Sequence, residues 1–473
     1  MQQSYEFFLY HTYFFPDFFC DATTKCPAYT DGAGSASSLR HGKKQVRHPL
    51  ISQENGDADT TFYAQKPLFH LTPIAIVFFF RTFVAKILAT PLPCHSAKGC
   101  LLPKGRSNIA HKKKTRREME NVYFDDAVAL LNELIATPRV SREEQQASDL
   151  LEQRMALWGL NPRREANNVW ATCPDYDEGK PTVLLNAHVD TVRAVASWTR
   201  QPHVPTTEGD RLYGLGANDC GGGLVTLLAT YRRLLAVERA YNVVFLASAE
   251  EEVSGKDGIA RVLPLLPPVS VAIVGEPTGM QPAVAERGLM VVDGYADGIS
   301  GHAARGDGLN AIYEALDDLV FLRGWRFRKV SPLLGPTTMA VTVIESGTQH
   351  NVVPDRLHFV LDVRTNEYYQ NEYVFSFLQK RMKKCRLEAR SFRLHSSAIA
   401  TDHPLVQRCV EMGMTPFGSP TLSDQALMSF PSLKLGPGES SRSHAADEYV
   451  CLSELQRAMD VYWNLLNGLG GSL

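Results

Sequence analysis

The sequence predicts an α/β protein, a mostly parallel sheet covered on both faces by helices, with a smaller α+β module inserted into it. Three observations predict this. Four apolar runs, "NVWATC" (168–173), "TVLLNA" (182–187), "NVVFLASA" (242–249) and "VSVAIVGE" (269–276), lack the alternation of a half-solvated strand and read as strands buried on both faces. Helical segments separate the last three of these runs, which makes parallel pairing the natural connection among them. Residues 287–398 read as strand (288–297), helix (309–323), two strands (338–346 and 356–364), helix (370–384) and a last strand near 387–395, the βαββαβ order of a ferredoxin-like module.

The regular part of the chain opens at Met119. In "MENVYFDDAVALLNELIATPRVS", Phe124, Val128, Leu131 and Ile135 recur at helical spacing and predict a first helix. "SREE" (141–144) has the Ser-x-x-Glu form of a capping box, so Ser141 is expected to cap a second helix running to about Leu157. A third helix near 221–236 follows the glycine-rich turn "GLGANDCGGG" (214–223).

Residues 1–118 differ in kind. They carry 16 Lys+Arg against 8 Asp+Glu, whereas the remainder carries 33 against 43, so a net charge of -2 conceals a basic head and an acidic body. The head has aromatic clusters, a polar stretch and a basic run, with no sustained period linking them. Its apolar run "LTPIAIVFFF" (71–80) is interrupted by Arg81 and Lys86, short of the roughly 18 to 20 apolar residues a membrane span needs, and lies too far from the start for a signal peptide. The head therefore reads as translated upstream sequence or a disordered extension, with a weak anchor as the competing reading.

Composition narrows the class further. With 473 residues, 44% hydrophobic and 21% charged, the chain can build two domains with cores. Near-neutral net charge points to neither nucleic acid nor a membrane surface. Nine cysteines, an odd number without CxxC spacing, indicate neither a disulfide framework nor a cysteine zinc site, and fit a reducing, cytoplasmic setting.

In doubly covered sheets, ligands bind beyond the carboxyl ends of the strands. The polar residues of this sequence collect there. His188 and Asp190 follow one predicted strand, Glu250, Glu251 and Glu252 another, Glu276 ends a third, and Asp219 lies in the glycine-rich turn. Singly, each has a plain structural explanation: a hydrogen-bonded strand end, a solvated helix start where the dipole favours acids, a turn lacking the Lys-Ser/Thr of a phosphate loop. Together, one histidine and several carboxylates at one sheet edge make a divalent-cation site of mixed nitrogen and oxygen donors.

Seven segments in order, "NAHVDTV", "GLGANDCGGG", "ASAEEEVSG", "VGEPTG", "GISGHAA", "HNVVPDRLHFVLDVR" and "LGPGESSRSHAADEYV", resemble the acetylornithine deacetylase and succinyl-diaminopimelate desuccinylase family of di-zinc amidohydrolases, from about Met119 to the C-terminus. The resemblance implies a zinc-peptidase-like catalytic domain (119–286 and 399–473) and a lid and dimerisation domain (287–398). It implies two Zn2+ ions, with Co2+ as a substitute: His188 and Glu276 on one, Glu252 and His444 on the other, Asp219 bridging both. Asp190 would orient His188, and Glu251 would be the general base, since successive side chains at an irregular strand end diverge. His302 of the lid would supply the oxyanion donor, offered across the subunit boundary of a homodimer. Arg364 and Asn351 would contact substrate, and Gly436 and Gly438 would let the backbone approach it. One departure stands out: where the family turn commonly has lysine two places after the bridging aspartate, this chain has Gly221.

The implied reaction is hydrolysis of an N-acyl amino acid to an amine and a carboxylate. "LGPGESSRSHAADEY" and "VGEPTGMQP" favour the acetylornithine deacetylase branch and arginine biosynthesis, with N-acetylcitrulline or an N-succinyl counterpart differing at one end only. A succinyl chain would want a further cation in the pocket, with Arg287, Arg305 and Arg442 available. Desuccinylation of diaminopimelate, dipeptide cleavage and a non-catalytic amino-acid-binding scaffold are the alternatives; a scaffold would be expected to have lost a ligand or Glu251, and all are present.

Overall fold

The computed structural model describes residues 116–470 and 473, all within the compact unit Ser107–Leu473. The expectations for the head, up to residue 115, lie outside the described residues. Helix α1 (Arg116–Ala136) buries Ala127, Leu130, Leu131, Leu134 and Ile135, the face its spacing predicts, with Phe124 and Val128 at the margin of the same core.

The capping expectation for Ser141 fails. Helix α2 spans Gln145–Leu157 and its N-cap position is Glu144, with no side-chain cap. Ser141 Oγ instead donates to Asp190 Oδ2 at 2.6 Å, and Arg142 at φ +73° turns the chain between serine and helix. A buried carboxylate is a stronger acceptor for that hydroxyl than a helix amide is a donor to it.

The large sheet contains β1 (Arg163–Glu165), β2 (Asn168–Thr172), β3 (Thr182–His188), β4 (Asn242–Ser248), β5 (Val271–Val274), β6 (Ala283–Glu286) and three strands from the C-terminal part, Ser397–Ala398, Phe417–Ser419 and Ser432–Lys434. In space the order is β1, β2, β4, β3, β5, then 432–434, β6 and 397–398, with 417–419 beside β6. The central four, β4, β3, β5 and 432–434, are parallel; on one side β1 and β2 run antiparallel to their neighbours, and on the other β6 is antiparallel to 432–434 and 397–398 and parallel to 417–419. The expectation of a mostly parallel sheet thus describes the centre, where every residue of β3, β4 and β5 is buried, and not the flanks. Helix α3 (Gly222–Leu234) packs on this centre together with α1 and the C-terminal helix Leu452–Leu466.

Register brings the site residues to one edge. His188 pairs with Ser248 and Asn186 with Val274, so β3, β4 and β5 end almost level, and Lys434 pairs with Val274, so the segment leading to His444 leaves from the same edge.

The insertion forms its own four-stranded antiparallel sheet from Gly288–Asp297, Thr338–Ser346, Arg356–Thr365 and Arg386–Ala389, covered by helices Ala311–Gly324 and Asn371–Arg381. Numbered within the module, the strand order is 2-3-1-4, that of the ferredoxin-like βαββαβ arrangement. Met290, Val292, Leu322, Phe359, Leu361, Val363, Val374 and Leu378 make a separate core, as the alternating burial of its first and third strands requires. No helix among the described residues is long and apolar enough to cross a membrane.

Candidate metal centre

The centre is built from chain turns at the level ends of β3, β4 and β5. His188 is the last residue of β3 and is buried. Its Nδ1 lies 3.0 Å from the backbone oxygen of Asp190 and 3.7 Å from that residue's carboxylate, so the backbone carbonyl is the closer orienting acceptor for the ring. The Asp190 carboxylate has a different set of partners. Its Oδ1 accepts the amide of Glu251 at 3.1 Å, and its Oδ2 accepts the amide of Glu252 at 3.2 Å and the Ser141 hydroxyl. With Glu250 in the left-handed region at φ +53°, this clamp turns two successive glutamates out of the end of β4.

Asp219 is held in the same manner. The carboxylate of Glu448, buried at 2% exposure, accepts the amides of Gly216 (3.0 Å), Asn218 (2.8 Å) and Asp219 (2.9 Å). Arg139, also buried, donates to Val189 O at 2.6 Å and Gly216 O at 2.8 Å, tying the end of β3 to the same turn. The Asp219–Cys220 peptide is cis. Gly221, the departure from the family pattern, closes the turn: a Cβ there would meet Gly216 O at 2.4 Å, and the Arg139 guanidinium stands beside it.

The two oxygens of Asp219 face different histidines. His188 Nε2 is 3.1 Å from Asp219 Oδ1 and 3.6 Å from Glu276 Oε1; His444 Nε2 is 3.6 Å from Asp219 Oδ2 and 2.9 Å from Glu252 Oε2. The Glu276 oxygen nearest His188 is buried without a hydrogen-bond partner. Burial, with the Asp219 charge adding to it, pushes the Glu276 carboxyl up to about 8. The hydrogen bond that its ring donates to the Glu252 carboxylate raises His444 to about 9. Two imidazoles and three carboxylates around an unsatisfied buried oxygen fit divalent cations: a cation would partner that oxygen, and the donor set is the mixed nitrogen and oxygen type such ions take. Among the described residues, His188, Asp219 and Glu252 form one candidate ligand cluster, and His188, Cys220 and Glu276 another.

Glu251 makes none of these paired contacts. It lines the cavity above the centre, of about 320 Å3, with Asp219, Glu252, Glu276 and His444. Burial raises its carboxyl well above the usual range against the opposing pull of His188, with the acids Glu276, Asp424 and Glu252 adding to the rise.

The residues expected to contact substrate lie elsewhere in this chain. His302 is exposed in a loop of the insertion, where its Nδ1 accepts the amide of Ala304 at 3.2 Å. Asn351 is exposed near it, its carbonyl accepting the amide of Ala303. Arg364 is engaged by Asp362 through two bonds of 2.8 and 3.0 Å. None of the three lines the cavity. Gly438 sits at φ +83°, where a Cβ would lie 2.1 Å from Asn218 Oδ1, and a Cβ on Gly436 would lie 2.5 Å from Glu276 O. These glycines let the loop pack on the turns bearing Asp219 and Glu276.

Of the cations considered for a longer acyl chain, Arg442 is paired with Glu454 at 2.8 and 2.9 Å and Arg287 bonds Thr338 and Leu334. Neither they nor Arg305 line the cavity, whereas Lys434 does. Sequence reasoning missed Lys434, Glu448, Arg139 and Asp424. Lys434 had a signal, a lysine inside the apolar run "SLKLG"; Glu448, four residues after His444, had none beyond proximity. Asp424, pushed up to about 7 by burial, accepts the Ser248 hydroxyl at the end of β4.

A covered α/β sheet with a cation site at its strand ends and an inserted βαββαβ module defines a class of metallo-hydrolase, and comparison with known proteins gives the family. The chain matches peptidase family M20/M25/M40 over residues 184–468 and belongs to that family. Among curated relatives, succinyl-diaminopimelate desuccinylase of Xylella fastidiosa (strain M12) is 24% identical over 371 residues, 71% of this chain and 97% of the relative. That of Verminephrobacter eiseniae (strain EF01-2) is 26% identical over 391 residues, 72% and 96%. In fold the chain is similar to aminopeptidase PepT of Bacillus cereus (TM-score 0.59, 18% identity, 72% of this chain and 98% of that one). It is similar also to the Bacillus subtilis YXEP protein, a dinuclear metal-binding peptidase of the M20 family (TM-score 0.57, 16% identity, 73% and 98%).

Proposed function

We propose that this metallo-hydrolase is a dinuclear zinc amidohydrolase that removes the acyl group from an N-acyl amino acid. The observation that carries the reading is Asp219, one oxygen 3.1 Å from His188 and the other 3.6 Å from His444, with Glu276 and Glu252 completing the two halves. His188, Asp219 and Glu276 would hold one ion, and His444, Glu252 and Asp219 the other. Bound there, two divalent cations would polarise the amide carbonyl and acidify a water molecule.

The protein's own groups do the remainder. Glu251, turned into the cavity by the Asp190 clamp, takes the proton of the attacking water on its carboxylate and returns it to the leaving nitrogen. His302 donates to the developing oxyanion from the insertion of a second copy. Two features support that dimer. Tyr313, Leu316 and Val320 stand exposed along one face of helix Ala311–Gly324, and the neighbouring edge strand Thr338–Ser346 exposes Val343 and Ile344.

The substrate is an N-acyl amino acid of the ornithine, citrulline or diaminopimelate type. The curated relatives support a succinyl acyl group ahead of the acetyl group suggested by the C-terminal motifs. The test is a panel of N-acetyl and N-succinyl derivatives of ornithine, citrulline and diaminopimelate, incubated with the protein stripped of metal and reloaded with zinc. Zinc-dependent release of free amine from at least one member is expected; no hydrolysis of any member would reject the reading.

A further inference from the structure

One wall of the cavity is polar in a way the proposed chemistry does not use. Lys434, 2% exposed, reaches it from the strand 432–434. Its ammonium lies 3.0 Å from Glu286 Oε2, 2.9 Å from Thr421 O, 3.2 Å from Thr421 Oγ1 and 3.3 Å from Ser419 Oγ. Three N–H groups serve these four acceptors, so one is shared between the two hydroxyls and none is left for a ligand.

The hydroxyl protons are the donors that remain. Ser419 Oγ accepts from Lys434 at 3.3 Å, through the shared N–H, and from the Thr421 amide at 3.3 Å, and either hydroxyl can donate across the 2.9 Å between Ser419 Oγ and Thr421 Oγ1. Its own proton goes to Thr421 O at 3.2 Å or Thr421 Oγ1 at 2.9 Å. When Ser419 donates to Thr421 Oγ1, the Thr421 proton is free to face the cavity, which exposed Thr421 lines; when Ser419 donates to Thr421 O, the Thr421 hydroxyl can donate to Ser419 Oγ and would swing from it to a ligand. A hydroxyl that accepts from an ammonium is a stronger donor in turn, and best suited to a negatively charged oxygen.

We propose that the Thr421 hydroxyl, backed by the Lys434 ammonium, is a carboxylate-binding subsite of this cavity. The inference rests on the cavity being that of the hydrolase described above. An N-acyl amino acid offers a carboxylate from two sources, the far end of a dicarboxylic acyl group or the α-carboxylate of the amine half. Lys434 and Glu286, a buried pair, act through Thr421 and are positioning residues.

Calorimetric titration of the metal-loaded protein separates these, and needs no turnover, so it stands apart from the hydrolysis panel. Succinate is compared with butyrate, and ornithine with 1,4-diaminobutane, each pair differing by one carboxylate. In one pair wild type should prefer the carboxylate-bearing member by about tenfold or more, the worth of one charge-assisted bond. Thr421→Val should bring that preference to within about twofold, Thr421→Ser should keep it, and the double variant Lys434→Met/Glu286→Gln should weaken it. The affected pair identifies the source. No preference in wild type, preferences unchanged in Thr421→Val, or equal weakening of both members of a pair would overturn the proposal.

Discussion

The carboxylate of Glu448 accepts the backbone amide of Asp219 at 2.9 Å, and with it those of Asn218 and Gly216, so one buried acid fixes the turn whose side chain faces both histidines. Three amides need an acceptor with both oxygens available. Glu448→Gln replaces one oxygen with a donor that opposes them. Affinity for both ions should fall by about 10- to 100-fold, the usual cost of losing an orienting partner, as read by competition with a chromophoric chelator. Unchanged affinity would show that Asp219 is held in place without Glu448.

The metal-free protein should lose stability as pH rises. Burial lifts Glu276 to about 8 and Glu448 to about 7, above the ordinary carboxylate value, and the Glu252 contact lifts His444 to about 9. A folded pKa above the unfolded one contributes stability that is complete below the unfolded value and lost as pH climbs through the folded value. The midpoint of thermal unfolding should therefore drop by about 3 °C or more between pH 5 and pH 8 without metal. Added zinc should reverse the trend, since the ligands bind cations in their deprotonated forms. Glu276→Gln should flatten the metal-free slope; a slope unaltered by that change would remove Glu276 from the account.

His302 and Glu251 provide a test of the proposed dimer. Glu251→Gln disables the subunit that carries it, whereas His302→Ala should disable its neighbour. Mixing the two inactive proteins under subunit exchange should return activity toward half of wild type per heterodimer, because one composite site regains both groups. Demonstrated exchange with no recovery would place His302 within its own chain or outside the reaction.

Much of the fold was legible because burial on both faces leaves a plain trace: the runs at 182–187 and 242–249 match β3 and β4 within a residue or two. The insertion was legible for a different reason, as its order of strands and helices matches a module whose first and third strands have one buried face. His188, Glu252 and Glu276 stood out as candidate ligands because they end or follow the central strands, whereas Asp219 lies in a turn and His444 came only from the resemblance. What the sequence did not disclose was support contributed from far along the chain. Glu448 holds a turn 229 residues away, and Ser141, which local pattern assigned to a helix cap, bonds Asp190 across 49 residues. Local rules cannot rank a nearby amide against a distant buried carboxylate. Short strands such as 417–419 and 432–434 escaped because three residues carry no period.

The most direct test of the central claim is a paired measurement on Glu251→Gln: bound metal by elemental analysis, and turnover of whichever N-acyl amino acid the wild type hydrolyses. Glutamine keeps the shape of the side chain and cannot accept a proton, while His188, Asp219, Glu252, Glu276 and His444 remain. Two ions per chain should be retained and the rate should fall by roughly 10² to 10⁴ or more. Loss of metal, or turnover near that of wild type, would contradict the assignment of Glu251 as the base above a five-residue dinuclear site.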